Sequence, residues 1–170
     1  MCVDRVMASA CLPLLFQAVE VDGEHYWDGG YMGNPAMFPL IYNCASRDIV
    51  VVRINPLHRQ ELPRTAADIL NRMNEITFNS SLMREMRAVN FVTELIDAGK
   101  INGDALERMR IHSIAADAEM AKLGAASKLN ADPRFLSRLR DAGRRHADDW
   151  LAANFDLLGA RSTIDLKEFL

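Results

Sequence analysis

The sequence predicts an α/β protein, and three observations carry that reading. Ile49-Val50-Val51-Val52 is a continuous β-branched run. Apolar residues at helical spacing follow it, above all over 65–98. An aromatic segment around Asp22-Gly23 has the pattern of a hairpin. Strands alternating with helices argue for an α/β arrangement. The strands are few, and helix dominates after residue 65.

The elements follow in chain order. Residues 3–10 are short, apolar and alanine-containing, which predicts a helix, and Pro13 stops it from continuing past Leu12. Residues 16–21 read as a strand. Asp22-Gly23 is a two-residue turn signal, and 25–28 form the return strand, which brings Asp28 to its end. Residues 35–42 read as a short helix with Pro35 in its first turn, where the missing N–H costs nothing. The β-branched run predicts a strand over 48–54 buried on both faces, stopped by Asn55-Pro56. A polar loop covers 57–64. Thr65 is an N-cap for a helix reaching about Ala98, closed by Gly99, with a break expected at Asn79-Ser80-Ser81. Residues 104–108 read as a helical turn, 109–114 as a strand, 115–123 as a helix and 124–132 as a loop. Pro133 opens a helix to about Phe155, with Phe135, Leu139, Ala142, His146, Trp150 and Leu151 near one face. The remainder reads as an irregular tail.

Composition bounds the function. The chain has 170 residues, 49% hydrophobic and 25% charged, which suits a soluble globular domain with a sizeable core. A net charge of -3 supplies no basic footprint for nucleic acid. No run of about 18 apolar residues is present to span a membrane, and Met1-Cys2-Val3-Asp4-Arg5 does not open a signal peptide. The three cysteines, Cys2, Cys11 and Cys44, lack CxxC spacing and read as buried or free thiols in a reducing, cytoplasmic compartment. His25, His58, His112 and His146 are scattered without metal-ligand spacing, so no metal or cofactor is expected. Arg138, Arg140, Arg144 and Arg145 are interleaved with Asp141, Asp148 and Asp149, the pattern of a solvated helix face. Met73, Met83, Met86, Met109 and Met120 read as core packing.

The segment Tyr26-Trp27-Asp28-Gly29-Gly30-Tyr31-Met32-Gly33-Asn34-Pro35 is the candidate site. It presents one carboxylate at the rim of a sheet, beside glycines that leave room for a reacting group. A carboxylate within hydrogen-bond reach of a serine can orient or deprotonate it. Taken alone, Asp-Gly-Gly is a turn, since these are default turn residues.

Context adds to that. Ala8-Ser9-Ala10-Cys11-Leu12-Pro13, then a hairpin, then Asp28-Gly29-Gly30, then Asn34-Pro35 resembles the patatin-like phospholipase family over residues 3–55. The resemblance implies a three-layer α/β/α fold, lipid acyl-ester hydrolysis by a serine–aspartate dyad without a histidine, and Asp28 as the dyad base. Gly29, Gly30 and Asn34 complete the motif. Residues 1–64 would be the C-terminal part of the catalytic domain, and 65–170 a mainly helical extension packed on it. The run from Asp28 to Gly33 also resembles the family's glycine-rich oxyanion loop, but Asn34-Pro35 and the upstream segment favour the aspartate motif.

The departure from the family lies in the nucleophile. Gly-x-Ser-x-Gly is absent, and Gly124-Ala125-Ala126-Ser127-Lys128 is the nearest imitation, with its serine one place late. The resemblance therefore implies the C-terminal portion of a longer patatin-like hydrolase, inactive by itself. Its substrate in the complete protein would be an acyl ester or phospholipid, with peripheral membrane contact. Self-association through exposed apolar faces is expected. Two other readings stand beside this one: a truncated, non-catalytic binding or regulatory partner, and an unrelated α/β binding domain with a structural Asp28 buried in salt bridges.

Overall fold

The computed structural model describes residues 2–13, 15–59, 61–102, 106–124, 127 and 129–169. It is a mixed α/β arrangement. Helix α1 (Val3–Ser9) precedes a hairpin of β1 (Val19–Val21) and β2 (Glu24–Tyr26). Helix α2 (Phe38–Asn43) leads into β3 (Asp48–Arg53). The long helix α3 (Ala66–Asp97) connects β3 to β4 (Arg110–Ala115), and α4 (Asp117–Met120) and α5 (Pro133–Asn154) follow.

Local chemistry accounts for most of these elements. Asp22 and Gly23 both take positive φ, 54° and 84°, the conformation that joins strands through a two-residue turn. The hairpin registers Val19 opposite Tyr26 and Val21 opposite Glu24. The first strand is shorter than the sequence predicts. Leu15 and Phe16 instead donate their N–H groups to Leu12 C=O in the turn after α1. Thr65 and Asp68 form a reciprocal capping box at the start of α3, and Gly99, at φ 64°, lies just beyond its end.

The expected break in α3 is absent: Asn79 and Ser81 send their side-chain groups to partners outside the helix, and the Ser80 hydroxyl shares the carbonyl of Thr77 without interrupting it. Asn79 Nδ2 donates to Pro56 C=O at 2.9 Å, Ser80 Oγ to Thr77 C=O at 2.7 Å, and Ser81 Oγ to Asn34 C=O at 3.0 Å. The first-turn proline of α2 is Pro39 and not Pro35, which follows a cis Asn34-Pro35 bond outside the helix. The helical turn expected over 104–108 falls partly outside the described residues, and 106–108 are not helical. The loop expected over 124–132 also falls partly outside them.

Strands β3 and β4 pair in parallel, Asp48 with Arg110 through Arg53 with Ala115. Side chains alternate between faces along a strand. Ile49, Val51 and Ile111 therefore point together into a core with Leu82, Met86 and Val89 of α3 and Met37 before α2. The residues after α5 are irregular, as expected, but they are packed. Leu166 and Phe169, in a 3₁₀ turn, join that core. Thr163 N–H donates to Ile111 C=O at 3.1 Å, and Ile111 N–H donates to Ser162 Oγ at 3.0 Å. This segment therefore occupies the edge of β4 away from β3.

The other edge of the pair differs. Among the described residues β3 has one strand neighbour, and only one of its faces is buried. Val50, Val52 and Ile54 are 42%, 69% and 64% exposed. The sequence predicted burial on both faces. The opposite face is covered where α5 and the segment after it lie against β4 and the start of β3, with Trp150 edge-on to His112 at 5.9 Å. On α5 itself the expected face is turned inward: Ala142 is buried, Phe135, Leu139, His146 and Trp150 are half-buried, and Leu151 stays exposed. Met86 and Met109 are core residues as predicted, whereas Met73 is 58% exposed.

Candidate active site

Asp28 sits two residues beyond β2 and caps a 3₁₀ turn, Gly29–Tyr31. Its backbone N–H donates to Cys11 C=O at 2.8 Å, tying the motif to the segment after α1. Next to it, Trp27 Nε1 donates to Phe16 C=O at 3.1 Å. The upstream Ala-Ser-Ala-Cys-Leu-Pro segment and the Asp-Gly-Gly segment, paired in the sequence only by order, are therefore neighbours in space. Cys11 is buried, and its Sγ–H donates to Gln17 C=O at 3.1 Å. All three cysteines are free thiols.

The carboxylate is half-buried. Gly30 N–H donates to Asp28 Oδ1 at 2.7 Å, a short charge-assisted bond that sets the side-chain direction. Asp28 forms no ion pair among the described residues, and no second hydrogen bond reaches its carboxylate there. A structural aspartate buried in salt bridges is therefore not what the site contains. Among the described residues no serine hydroxyl bonds to it; Ser46, Ser80, Ser81, Ser113, Ser127 and Ser162 bond elsewhere.

The two motif glycines differ. A Cβ on Gly29 would meet nothing within 4 Å, whereas one on Gly30 would lie 3.0 Å from Asp28 Oδ1 and 3.7 Å from Phe78 Cε1. Gly30 is where the backbone and the carboxylate come close. Asn34 contributes through its backbone: its N–H donates to Ser81 Oγ at 2.7 Å, and its C=O accepts from the same hydroxyl. Asn34, Pro35, Ile54, Asn55 and Asn79 line a cavity of about 190 Å³ between the motif loop and the end of β3. Asp28 is not among its lining residues.

A second polar cluster joins β3, β4 and the C-terminal segment. Asp48 accepts from Arg110 Nε at 3.0 Å and Nη2 at 2.7 Å, from His112 Nε2 at 3.0 Å and from Gly159 N–H at 2.9 Å. The Arg110 guanidinium, with Gly159 and His112, holds the Asp48 carboxyl well below the usual carboxylate range against its own desolvation. The other ring nitrogen of His112 faces Thr163 Oγ1 at 3.2 Å. This carboxylate–imidazole–hydroxyl line has the order of a relay. The His112 side chain is 0% exposed, so it works as a latch between strands and tail. No sequence spacing points to it, since its members are brought together by β3–β4 register and the return of the chain after α5.

The arginine-rich face of α5 carries weak surface pairs, as expected, one of them with a carboxylate outside the helix. Arg140 pairs with the adjacent Asp141 and Arg145 reaches Glu119 on α4. Arg59 grips Glu75 through both Nε and Nη2, with Arg72 also on that carboxylate. This fastens the 57–64 loop to α3.

Residues 2–41 match the family model of the patatin-like phospholipases, which supports a patatin-like assignment. The matched stretch contains Asp28, Gly29, Gly30 and Asn34. The chain matches no curated protein and no solved structure.

Proposed function

We propose, from the patatin-like assignment of residues 2–41, that this chain supplies the aspartate of a serine–aspartate dyad for lipid acyl-ester hydrolysis. The observation that carries the reading is the match enclosing a carboxylate with one oxygen held by a motif glycine and no salt bridge to occupy it. A carboxylate held in that way can take the proton of a serine placed about 2.6–3.2 Å from it. The serine oxygen then attacks the ester carbonyl, the alcohol leaves, and water cleaves the acyl-enzyme. The serine comes from outside these 170 residues, because none of the serines within them stands in a Gly-x-Ser-x-Gly frame. The missing strands of a complete three-layer domain would come with it. Acyl esters and phospholipids are the substrate class, which places the complete protein in lipid degradation, with contact at the membrane surface.

On this reading the isolated chain does not turn over a short-chain p-nitrophenyl ester. Turnover that disappears in Asp28→Ala would show a nucleophile inside the chain and refute that part. The reading sequence upstream of the Met1 codon tests the rest. An in-frame Gly-x-Ser-x-Gly is expected there, and the longer product should lose ester turnover in Asp28→Ala; retained turnover removes Asp28 from the dyad.

One observation favours a second reading. Among the described residues β3 pairs with β4 on one side only, and Val50, Val52 and Ile54 leave one of its faces exposed, which would let the chain act as a non-catalytic partner that adds this strand to a full-length relative. Stable co-purification with such a relative, lost in Val52→Lys, would support it.

A further inference from the structure

The polar run Asn79-Ser80-Ser81, which the sequence marks as a helix break, is the part of α3 that meets the candidate site. Together with Phe78 just before it, this stretch makes three contacts, two with the motif loop and one with the end of β3. Phe78 lies edge-on to Tyr31, ring centroids 5.6 Å apart at 67°. The same ring sits 3.7 Å from where a Cβ of Gly30 would be. Ser81 is buried, and its hydroxyl both accepts from Asn34 N–H at 2.7 Å and donates to Asn34 C=O at 3.0 Å. Asn79 Nδ2 holds Pro56 C=O at 2.9 Å, just past the end of β3.

We propose that Ser81 and Phe78 are positioning residues for the Asp28 carboxylate. The inference rests on the reading of Asp28 as the dyad base. Residues three apart on a helix share a face, so Phe78 and Ser81 form one two-point grip. Between the two points the chain turns tightly: Met32 N–H and Gly33 N–H both donate to Gly29 C=O, at 2.9 and 3.1 Å. The first point supports Gly30, whose N–H aims the carboxylate at 2.7 Å. The second clamps both backbone polar groups of Asn34, where the turn leaves the site. Burial of Ser81 matters here. Without its hydroxyl, two backbone groups lose their partner in a place water does not readily reach, and the turn relaxes to satisfy them. The neighbouring Asn79 bond refers the same helical turn to the end of β3. The helix thus sets where the carboxylate stands relative to the strand end, across the cavity that Asn34, Asn55 and Asn79 line.

The experiment uses the full 170-residue chain labelled with ¹⁵N. The Gly30 amide reports the carboxylate it bonds to, so its chemical shift is followed across a series of pH values, and Asp28→Asn, which removes the carboxylate, calibrates the reporter. In Ser81→Ala the pH-dependent excursion of the Gly30 amide should fall by about half or more, and the Asn34 amide should exchange about tenfold faster. Exchange at Ile49 and Ile111 in the paired strands should stay as in the parent, and Ser81→Thr, which keeps the hydroxyl, should restore both readouts. An unchanged Gly30 excursion overturns the proposal. So does exchange that rises equally at Ile49, Ile111 and Asn34, the mark of a residue that only stabilises the whole. If Ser81→Ala does not fold, Phe78→Leu takes its place. It should reduce the Gly30 excursion with the strand amides unchanged, and an excursion of parental size overturns the proposal. None of these readouts requires catalysis. A failed dyad therefore shows only in ester turnover of the longer product, and a failed grip only in the amides.

Discussion

Replacing Asp48 by asparagine removes the charge from a carboxylate held by β4 and by the segment after α5 at once. Four N–H groups converge on it, two from Arg110 and one each from His112 and Gly159. Asparagine keeps one acceptor oxygen but turns an NH₂ group toward the guanidinium. The Arg110 charge is then left without its counter-charge in a site where the Asp48 and Arg110 side chains are only 18% and 22% exposed. Breaking a fully buried pair costs about 3–5 kcal/mol, and the residual exposure lowers that here to about 2–4 kcal/mol. For a chain of this size that is a fall in melting temperature of roughly 5–15 °C. The pH dependence has a definite sign. Folding lowers the Asp48 pKa, so its stabilisation is complete above the unfolded value of about 3.9 and fades as pH falls below it. Urea unfolding at pH 7 should show the full loss in Asp48→Asn, and the gap between parent and variant should narrow as pH drops below about 4. A cycle with Arg110→Met should return a coupling of about 1.5 kcal/mol or more. A loss under about 1 kcal/mol at pH 7, or a gap that stays constant into acid, would refute the assignment of Asp48 as the node that fastens the tail to the sheet.

Two further outcomes are expected. Gly30→Ala should distort the candidate site, because its Cβ would press on Asp28 Oδ1 at 3.0 Å. Gly29→Ala meets nothing and should leave the Gly30 and Asn34 amide resonances near their parental positions; equal perturbation by both would count against the close approach. The chain should self-associate through the open side of β3, where Val50 and Val52 are exposed. Sedimentation should show it, and Val52→Lys should shift the distribution toward monomer. A monodisperse parent monomer at tens of micromolar would contradict this.

The local geometry of the Asp28 segment was legible before folding. Asp28, its two glycines and Asn34 sit in an order and spacing that a turn can satisfy locally, and Asp28 N–H bonding to Cys11 C=O unites the two segments the resemblance had linked. Ser81 and Phe78 were not legible as part of it. Their residue types signal a weak helix position, and their partners lie far away along the chain, at Asn34 and Tyr31. His112 was similarly hidden. A lone histidine in a strand pattern says nothing of a carboxylate on a neighbouring strand or a threonine returning after α5.

The sequence by itself determined the elements whose signals are short-range: the Asp22-Gly23 turn, the Thr65 cap with Asp68, the Gly99 end of α3 and the inward face of α5. Each rests on backbone conformation or on side chains within a turn or two of one another, so neighbours along the chain suffice. Tertiary structure alone decided three other things. It chose which face of β3 is buried, because a β-branched run suits either one covered face or two. It gave Asn79 and Ser81 side-chain partners outside α3, at Pro56 and Asn34, and the helix stays continuous through them. It made the irregular tail part of the core, where Leu166 and Phe169 close over β4 and α3. All three depend on what arrives from distant positions, and pairing of that kind has no local signature.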